Sequence, residues 1–267
     1  MISSLRPEVP FTLVSLLLLF ATRTTAQQTA PFTDPLTGIN FQRFFGAKTQ
    51  FAFGIALPEN PSTDFIGQIS APMPNGAGWA GISLQEDMEG PLLLTAWPNG
   101  NEVVSSFRVA RNEDDSPPVV TGAFKVVPIP SGTAVNASHM TFTFLCQNCI
   151  GDAKIGFTAS DTAGDVGMGW ALASRAVSDA TDPAAVLPFH NSGFDDFTAL
   201  LSQARSPLFG EWALLAGPQG AASNGSTTPI PILPPGTSTG GGAGGDDSDD
   251  EGDDDEGGDD DKDEDDD

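Results

Sequence analysis

The stretch Phe51-Ala-Phe53-Gly-Ile55-Ala-Leu57 places a large apolar residue at every second position, the period of a strand with one face in a core. Met140-Thr-Phe142-Thr-Phe144-Leu-Cys146 repeats the pattern, as do Ala80, Ile82 and Leu84, then Val103, Ser105, Phe107 and Val109, and then Val166, Met168, Trp170 and Leu172. Leu92 to Trp97 is apolar on both faces and predicts a central strand covered on two sides. Gly, Pro and Asn interrupt these runs from Ile39 to Leu172, which favours an antiparallel β-sandwich over alternating β and α units. One stretch departs from the period of two. After Ser192 and Gly193, the positions Phe194, Phe197, Leu200 and Leu201 follow helical spacing, with Asp195 and Asp196 in a first turn. The expected fold is therefore all-β, an antiparallel sandwich of immunoglobulin-like kind with one short C-terminal helix.

Around that unit the 267-residue chain divides by composition. Arg6, the apolar run Phe11 to Ala21 and the small residues Thr24 to Ala26 read as a signal peptide over residues 1–26, with a mature chain starting at Gln27 and a secreted, extracellular protein. Residues 27–217 are long enough for a single sandwich with a real core. Residues 218–245 are rich in Pro, Gly, Ser and Thr and read as a linker. Residues 246–267 hold 17 of the 36 acidic residues against the single Lys262, and are expected to form a disordered, solvated tail. Secretion gives meaning to the acceptor sequons at Asn136 and Asn224, whereas Asn60-Pro-Ser62 is spoiled by its proline.

Charge and motifs exclude several classes. With 11 scattered Lys and Arg and a formal charge of −25, the chain has no basic patch to neutralise phosphates, so nucleic acid is not its partner. No apolar stretch reaches the ~18 residues that span a bilayer. Gly76-Ala-Gly78-Trp-Ala-Gly81 matches a dinucleotide fingerprint but leads into the alternating run Ala80 to Leu84 instead of a helix, so the match is spurious. Cys146-Gln-Asn-Cys149 lacks a second pair for zinc and the His that covalent haem attachment needs where Ile150 stands; two cysteines in a secreted chain favour a short disulfide. There is no Gly-x-Ser-x-Gly elbow for a serine nucleophile. By pattern alone, His190 is a lone His in a loop and Met88 a lone Met in a turn between Leu84 and Leu92, and each reads as structural.

A resemblance changes the weight of those two residues. Trp79-Ala-Gly-Ile-Ser-Leu-Gln-Glu-Asp-Met88-Glu-Gly-Pro-Leu-Leu-Leu-Thr-Ala-Trp97 resembles the haem domain of fungal cellobiose dehydrogenases, a variant of the DOMON sandwich. So do Phe142-Thr-Phe-Leu-Cys146-Gln-Asn-Cys149, Trp170-Ala-Leu-Ala, Asp179-Ala-Thr-Asp-Pro183 and Phe189-His190-Asn-Ser-Gly-Phe194, in the same order. The likeness implies haem b as cofactor, axial iron ligands at Met88 and His190, and a Cys146–Cys149 disulfide. An iron with both axial positions filled disfavours oxygen chemistry, and a thioether ligand raises its potential, so the expected role is electron transfer without catalysis. The neutral His190 ring is expected to donate from its second nitrogen to a carbonyl or carboxylate.

The chain also departs from that family. It contains no tyrosine, whereas the family anchors its haem propionates partly by tyrosine hydroxyls from the segment matching Phe107 to Val120; Arg108, Arg111 and Arg175 are the replacement candidates. The family's flavin domain has no counterpart in these 267 residues. The reading is a secreted, monomeric b-type cytochrome between an extracellular flavin dehydrogenase and an acceptor such as a copper polysaccharide monooxygenase. The competing reading is a haem-free DOMON module that binds carbohydrate through exposed aromatics.

Overall fold

The structure, a computed structural model, describes residues 27–60 and 62–217. The expected signal peptide, linker, acidic tail and the Asn224 sequon lie outside those residues. In chain order the strands are β1 (Ala30–Thr33), β2 (Asn40–Phe45), β3 (Ala52–Pro58), β4 (Phe65–Pro72), β5 (Trp79–Ser83), β6 (Leu93–Asn99) and β7 (Glu102–Arg108). They continue with β8 (Lys125–Pro128), β9 (Ala134–Val135), β10 (His139–Gln147), β11 (Val166–Ala173), β12 (Gly193–Ala199) and β13 (Arg205–Ser206), followed by helix α1 (Phe209–Ala213).

The strands build two sheets. One has the order β1-β2-β3-β4-β10-β8, with β9 on β10 and β13 running parallel to the end of β3; the other has the order β12-β11-β5-β6-β7. Register explains the core. Phe53, Ile69 and Phe142 stand opposite one another across β3, β4 and β10, while Trp170, Ile82, Leu94 and Phe107 form a row across β11, β5, β6 and β7. All seven belong to one buried cluster between the sheets, so the alternating residues read from sequence are the inward ones. As expected, β6 lies inside its sheet and is buried on both faces.

Each sheet also buries part of its outward face. On the larger sheet, α1 sets Phe209 and Trp212 against Phe41, Ala56, Ile66 and Leu145. On the smaller sheet, Trp79 and Trp97 pack with Val177, Ala185 and Leu187 from the long loop 174–192. Cys146 and Cys149 are joined in a disulfide and buried in the inter-sheet core. Of the glycines in the false dinucleotide match, Gly81 lies within β5, while Gly76 and Gly78 precede it with φ of 69° and 126°, and a Cβ on Gly78 would lie 2.3 Å from the Ala173 carbonyl oxygen.

The helix expected at Phe194 to Leu201 is corrected by the structure. Gly193–Ala199 is β12, the edge strand of the smaller sheet, and the single short C-terminal helix lies further on, at α1. Pairing with β11 puts Phe197 opposite Met168 and into the core, stacked 4.6 Å from Phe44, while Phe194 lies opposite Ala171 on the other face, 62% exposed. Residues three apart that fall on opposite faces belong to a strand, and tertiary pairing overrides the local spacing.

Candidate functional site

Part of the outward face of the smaller sheet is lined by small residues. Two rows cross it: Ala171, Gly81, Thr95 and Ser106, and beside it Gly169, Ser83, Leu93 and Arg108. Where a sheet face normally carries bulky side chains, Gly81, Ser83, Gly169 and Ala171 leave a flat recess. A Cβ on Gly169 would stand 3.1 Å from the Glu86 carbonyl oxygen and 3.3 Å from the Ser83 Cβ, so the floor has little room for anything larger. The recess is a cavity of about 290 Å³, near the lower end of the roughly 300–1,000 Å³ of ligand pockets.

Two loops bring Met88 and His190 to this cavity. The Met88 loop is pinned from below: the Ser83 hydroxyl donates to the Asp87 carbonyl at 2.7 Å, and the Gln85 side-chain amide donates to the carbonyls of Ala153 and Gly156 at 3.1 and 2.9 Å. The His190 loop is held by side chains from the sheet. The Trp79 indole N–H donates to the Pro188 carbonyl at 2.8 Å, and the Trp97 N–H to the Ala180 carbonyl at 3.0 Å. Gly193, at φ 135°, then turns the chain into β12 where a Cβ would press on Trp170 and Thr49.

The His190 ring is oriented by rings. Phe189 and Phe194 lie 4.2 and 4.5 Å away, and Trp79 meets it edge-on at 6.3 Å. Its Nδ1 is buried and has no hydrogen-bond partner, in contrast to the donor bond expected from sequence. The reason lies in the loop's own bonding: the carbonyl of Pro188 accepts from Trp79, that of Phe189 from the Asn191 N–H, and that of His190 from the Gly193 N–H. Burial pushes the imidazole pKa below its ordinary value, against smaller raising effects of its own backbone and Glu113. The ring is thus favoured in its neutral, ligating form.

Charge on the lining is one-sided. Glu86, Asp87, Glu113, Asp114, Asp115 and Asp195 line the cavity, and no Lys or Arg does so among the described residues. Of the three arginines considered as propionate anchors, Arg111 and Arg175 are exposed and outside the lining, and Arg108 is buried behind it with its donors engaged. A ligand bearing carboxylates would gain no ion pair from this lining. Asn136 is exposed, its Oδ1 accepting from the N–H groups of Ser138 and His139.

Sequence reasoning did not single out the flat floor, the aromatic surround of His190 or the acidic segment Glu113–Asp115. Isolated glycines within alternating runs, Gly81 and Gly169, were the available signal for the floor. Among the described residues no group of three or more His, Cys, Asp or Glu is placed to hold a bare metal ion. A soft thioether, a neutral imidazole with an orphaned ring nitrogen and a flat apolar recess fit a planar metal macrocycle instead.

The fold is a two-sheet antiparallel β-sandwich with a slot on the outward face of one sheet. More narrowly, the chain belongs to the family of the cytochrome domain of cellobiose dehydrogenase, whose profile matches residues 32–211. The solved cytochrome domain of Myriococcum thermophilum cellobiose dehydrogenase is 30% identical, with a TM-score of 0.65 over 73% of this chain and 100% of that one. The cytochrome b domain of pyranose dehydrogenase from Coprinopsis cinerea shares the fold, with 24% identity and a TM-score of 0.61 over 70% of this chain and 95% of that one. In sequence, the pyrroloquinoline quinone-dependent pyranose dehydrogenase of Coprinopsis cinerea is 30% identical over 186 residues, 66% of this chain. This chain matches only 24% of that relative's length. Membership of a cytochrome family implies a haem cofactor.

Proposed function

We propose that this chain is a secreted electron carrier that holds one haem b noncovalently, with Met88 and His190 as axial ligands. The observation that carries the reading is that these two residues, 102 positions apart, stand on separately pinned loops and line one flat cavity. When bound, the haem supplies reversible one-electron redox chemistry at its iron. The protein's residues supply everything else. Met88 offers a ligand that needs no deprotonation, the aromatic surround keeps His190 oriented and neutral, and the small floor residues admit the ring face. The buried disulfide and the exposed sequon asparagine Asn136 support an extracellular setting.

The donor is an extracellular dehydrogenase. A flavin enzyme suits the family name; the quinone-dependent relative makes a quinone sugar dehydrogenase the second donor class. Oxidation of a sugar at one carbon releases two electrons, so each turnover of either donor reduces two copies of this carrier in single steps. A copper polysaccharide monooxygenase is the proposed acceptor.

The test is the absorption spectrum of the secreted protein, oxidised and reduced, followed by extraction with acidified solvent. We expect a reducible haem that extracts completely, since no Cys-x-x-Cys-His is present. His190→Ala should lose most of the haem, whereas Met88→Ala should retain it at a lower potential. A protein that stays colourless after haem is supplied overturns the reading in favour of the haem-free module.

A further inference from the structure

Loop 174–192 carries His190 yet has few ties of its own to the sheets. Its backbone hydrogen bonds among the described residues are mostly local turns, such as Asp182 to Asp179 and Ala185 to Asp182, with Ser192 to Leu172 at its end. Beside the packing of Val177, Ala185 and Leu187 on Trp79 and Trp97, its middle is held by Arg108, the last residue of β7, which is 1% exposed and lies in the same row as the floor residues Gly169 and Ser83. Its Nη2 donates to the carbonyls of Pro183 and Ala185 at 2.9 and 2.8 Å, its Nη1 to the Pro117 carbonyl at 2.9 Å, and its Nε to the Ser106 hydroxyl at 2.9 Å. The guanidinium also lies 5.7 Å from the ring of Trp97, which itself holds Ala180 of the same loop.

Pro117 lines the cavity two residues beyond the acidic segment Glu113–Asp115, and Ala185 lies five residues before His190. One planar cation therefore joins two loops that meet at the site, and the Leu187 N–H to Ser116 hydroxyl bond, at 2.9 Å, closes the same seam. We propose that Arg108 is a positioning residue for His190: its fork clamps loop 174–192 to the segment ending at Pro117 and so sets where the imidazole stands. This rests on the proposed haem site for its consequence but not for the clamp itself. A point charge cannot replace it, because three carbonyls in different directions need the fixed donors of a guanidinium.

The test compares the full chain with Arg108→Lys and Arg108→Met, before and after haem is supplied. Without haem, amide exchange over 183–190 and 112–117 should quicken about tenfold or more in both variants, since buried carbonyls lose charge-assisted bonds, while β3 and β10 stay as protected as before. With haem, both variants should show a high-spin fraction absent from the wild type and should release haem about tenfold faster. Arg108→Lys keeps the charge and most of the stem, so it decides the matter if Arg108→Met does not fold. Unchanged loop exchange in Arg108→Lys, or a spectrum and release rate like the wild type's, overturns the clamp. A wild-type chain that takes up no haem removes the functional reading, while the exchange measurement still decides on the clamp.

Discussion

At the scale of single residues, the structure separates groups that touch the cavity from groups that hold those groups still. Met88 and His190 had no distinguishing local pattern; a lone thioether and a lone imidazole in loops became candidates only through resemblance, because ligation depends on a spatial meeting that spacing does not encode. Arg108 was one of three candidates for holding haem propionates, through the same resemblance, and its burial and its carbonyl partners were not legible. Burial lowers its pKa to about 10, with Asp182 partly offsetting, so it remains charged at neutral pH. Asp161 gives a residue-scale prediction with a sign. It accepts hydrogen bonds from the Thr158 N–H and hydroxyl at 2.7 and 2.8 Å, and these hold its carboxyl pKa below the ordinary value of 3.8. The turn it closes carries Thr162, whose carbonyl and hydroxyl accept from Arg205 at the start of β13. A depressed folded-state pKa means stability that is present above about 3.8 and is lost as pH falls through the folded value. Denaturation midpoints of the wild type and Asp161→Ala should therefore differ modestly at pH 6 and converge toward pH 2. A gap that stays constant with pH would assign the effect to packing.

At the scale of elements, the inward faces were legible and the outward faces were not. Phe51 to Leu57 and Met140 to Cys146 alternate because their strands bury one face against the opposing sheet. β12 hid its period because it is an edge strand: Asp195 and Asp196 stand where a central strand would need apolar residues, and charges on an edge guard it against further pairing. Helix α1 has five residues, too few for a spacing argument. The recess in the smaller sheet is a property of two strands at once, since neither β5 nor β11 alone shows that Gly81 stands beside Gly169 and Ala171. Its role can be tested by filling it. Ala171 is half-buried beside the Trp79 and Trp97 cluster, and its side chain faces away from the inter-sheet core, so Ala171→Trp puts its bulk into the slot and not against Leu172 or Trp170. The variant should stay folded, with its unfolding free energy lowered by no more than about 1–3 kcal/mol, the usual cost of adding bulk at a packed position. Haem uptake should fall at least tenfold. Normal uptake by the folded variant would place the ring elsewhere than on this floor.

At the scale of the whole molecule, net charge acts on encounters rather than on the fold. The chain carries −25, of which a large part lies in residues 246–267, and a second acidic group lies beside the slot. Glu113, Asp114 and Asp115 line it in a turn held by Asn112, whose Oδ1 accepts the N–H groups of Asp114 and Asp115 at 3.1 and 2.8 Å. A cationic redox probe approaching this side is attracted and an anionic one repelled, and both effects are screened beyond a Debye length of about 8 Å at physiological ionic strength. Oxidation of the reduced protein by hexaammineruthenium(III) should therefore slow as salt is raised, and oxidation by ferricyanide should quicken. Replacing the three acids with Gln, Asn and Asn preserves the turn's backbone bonds and should flatten both slopes. Deleting residues 246–267 separates the two sources of charge, and slopes that persist in the deletion assign the steering to the acids of the slot. Salt slopes that vanish on the deletion, and persist in the triple substitution, would move the steering charge from the slot to the C-terminal acidic run.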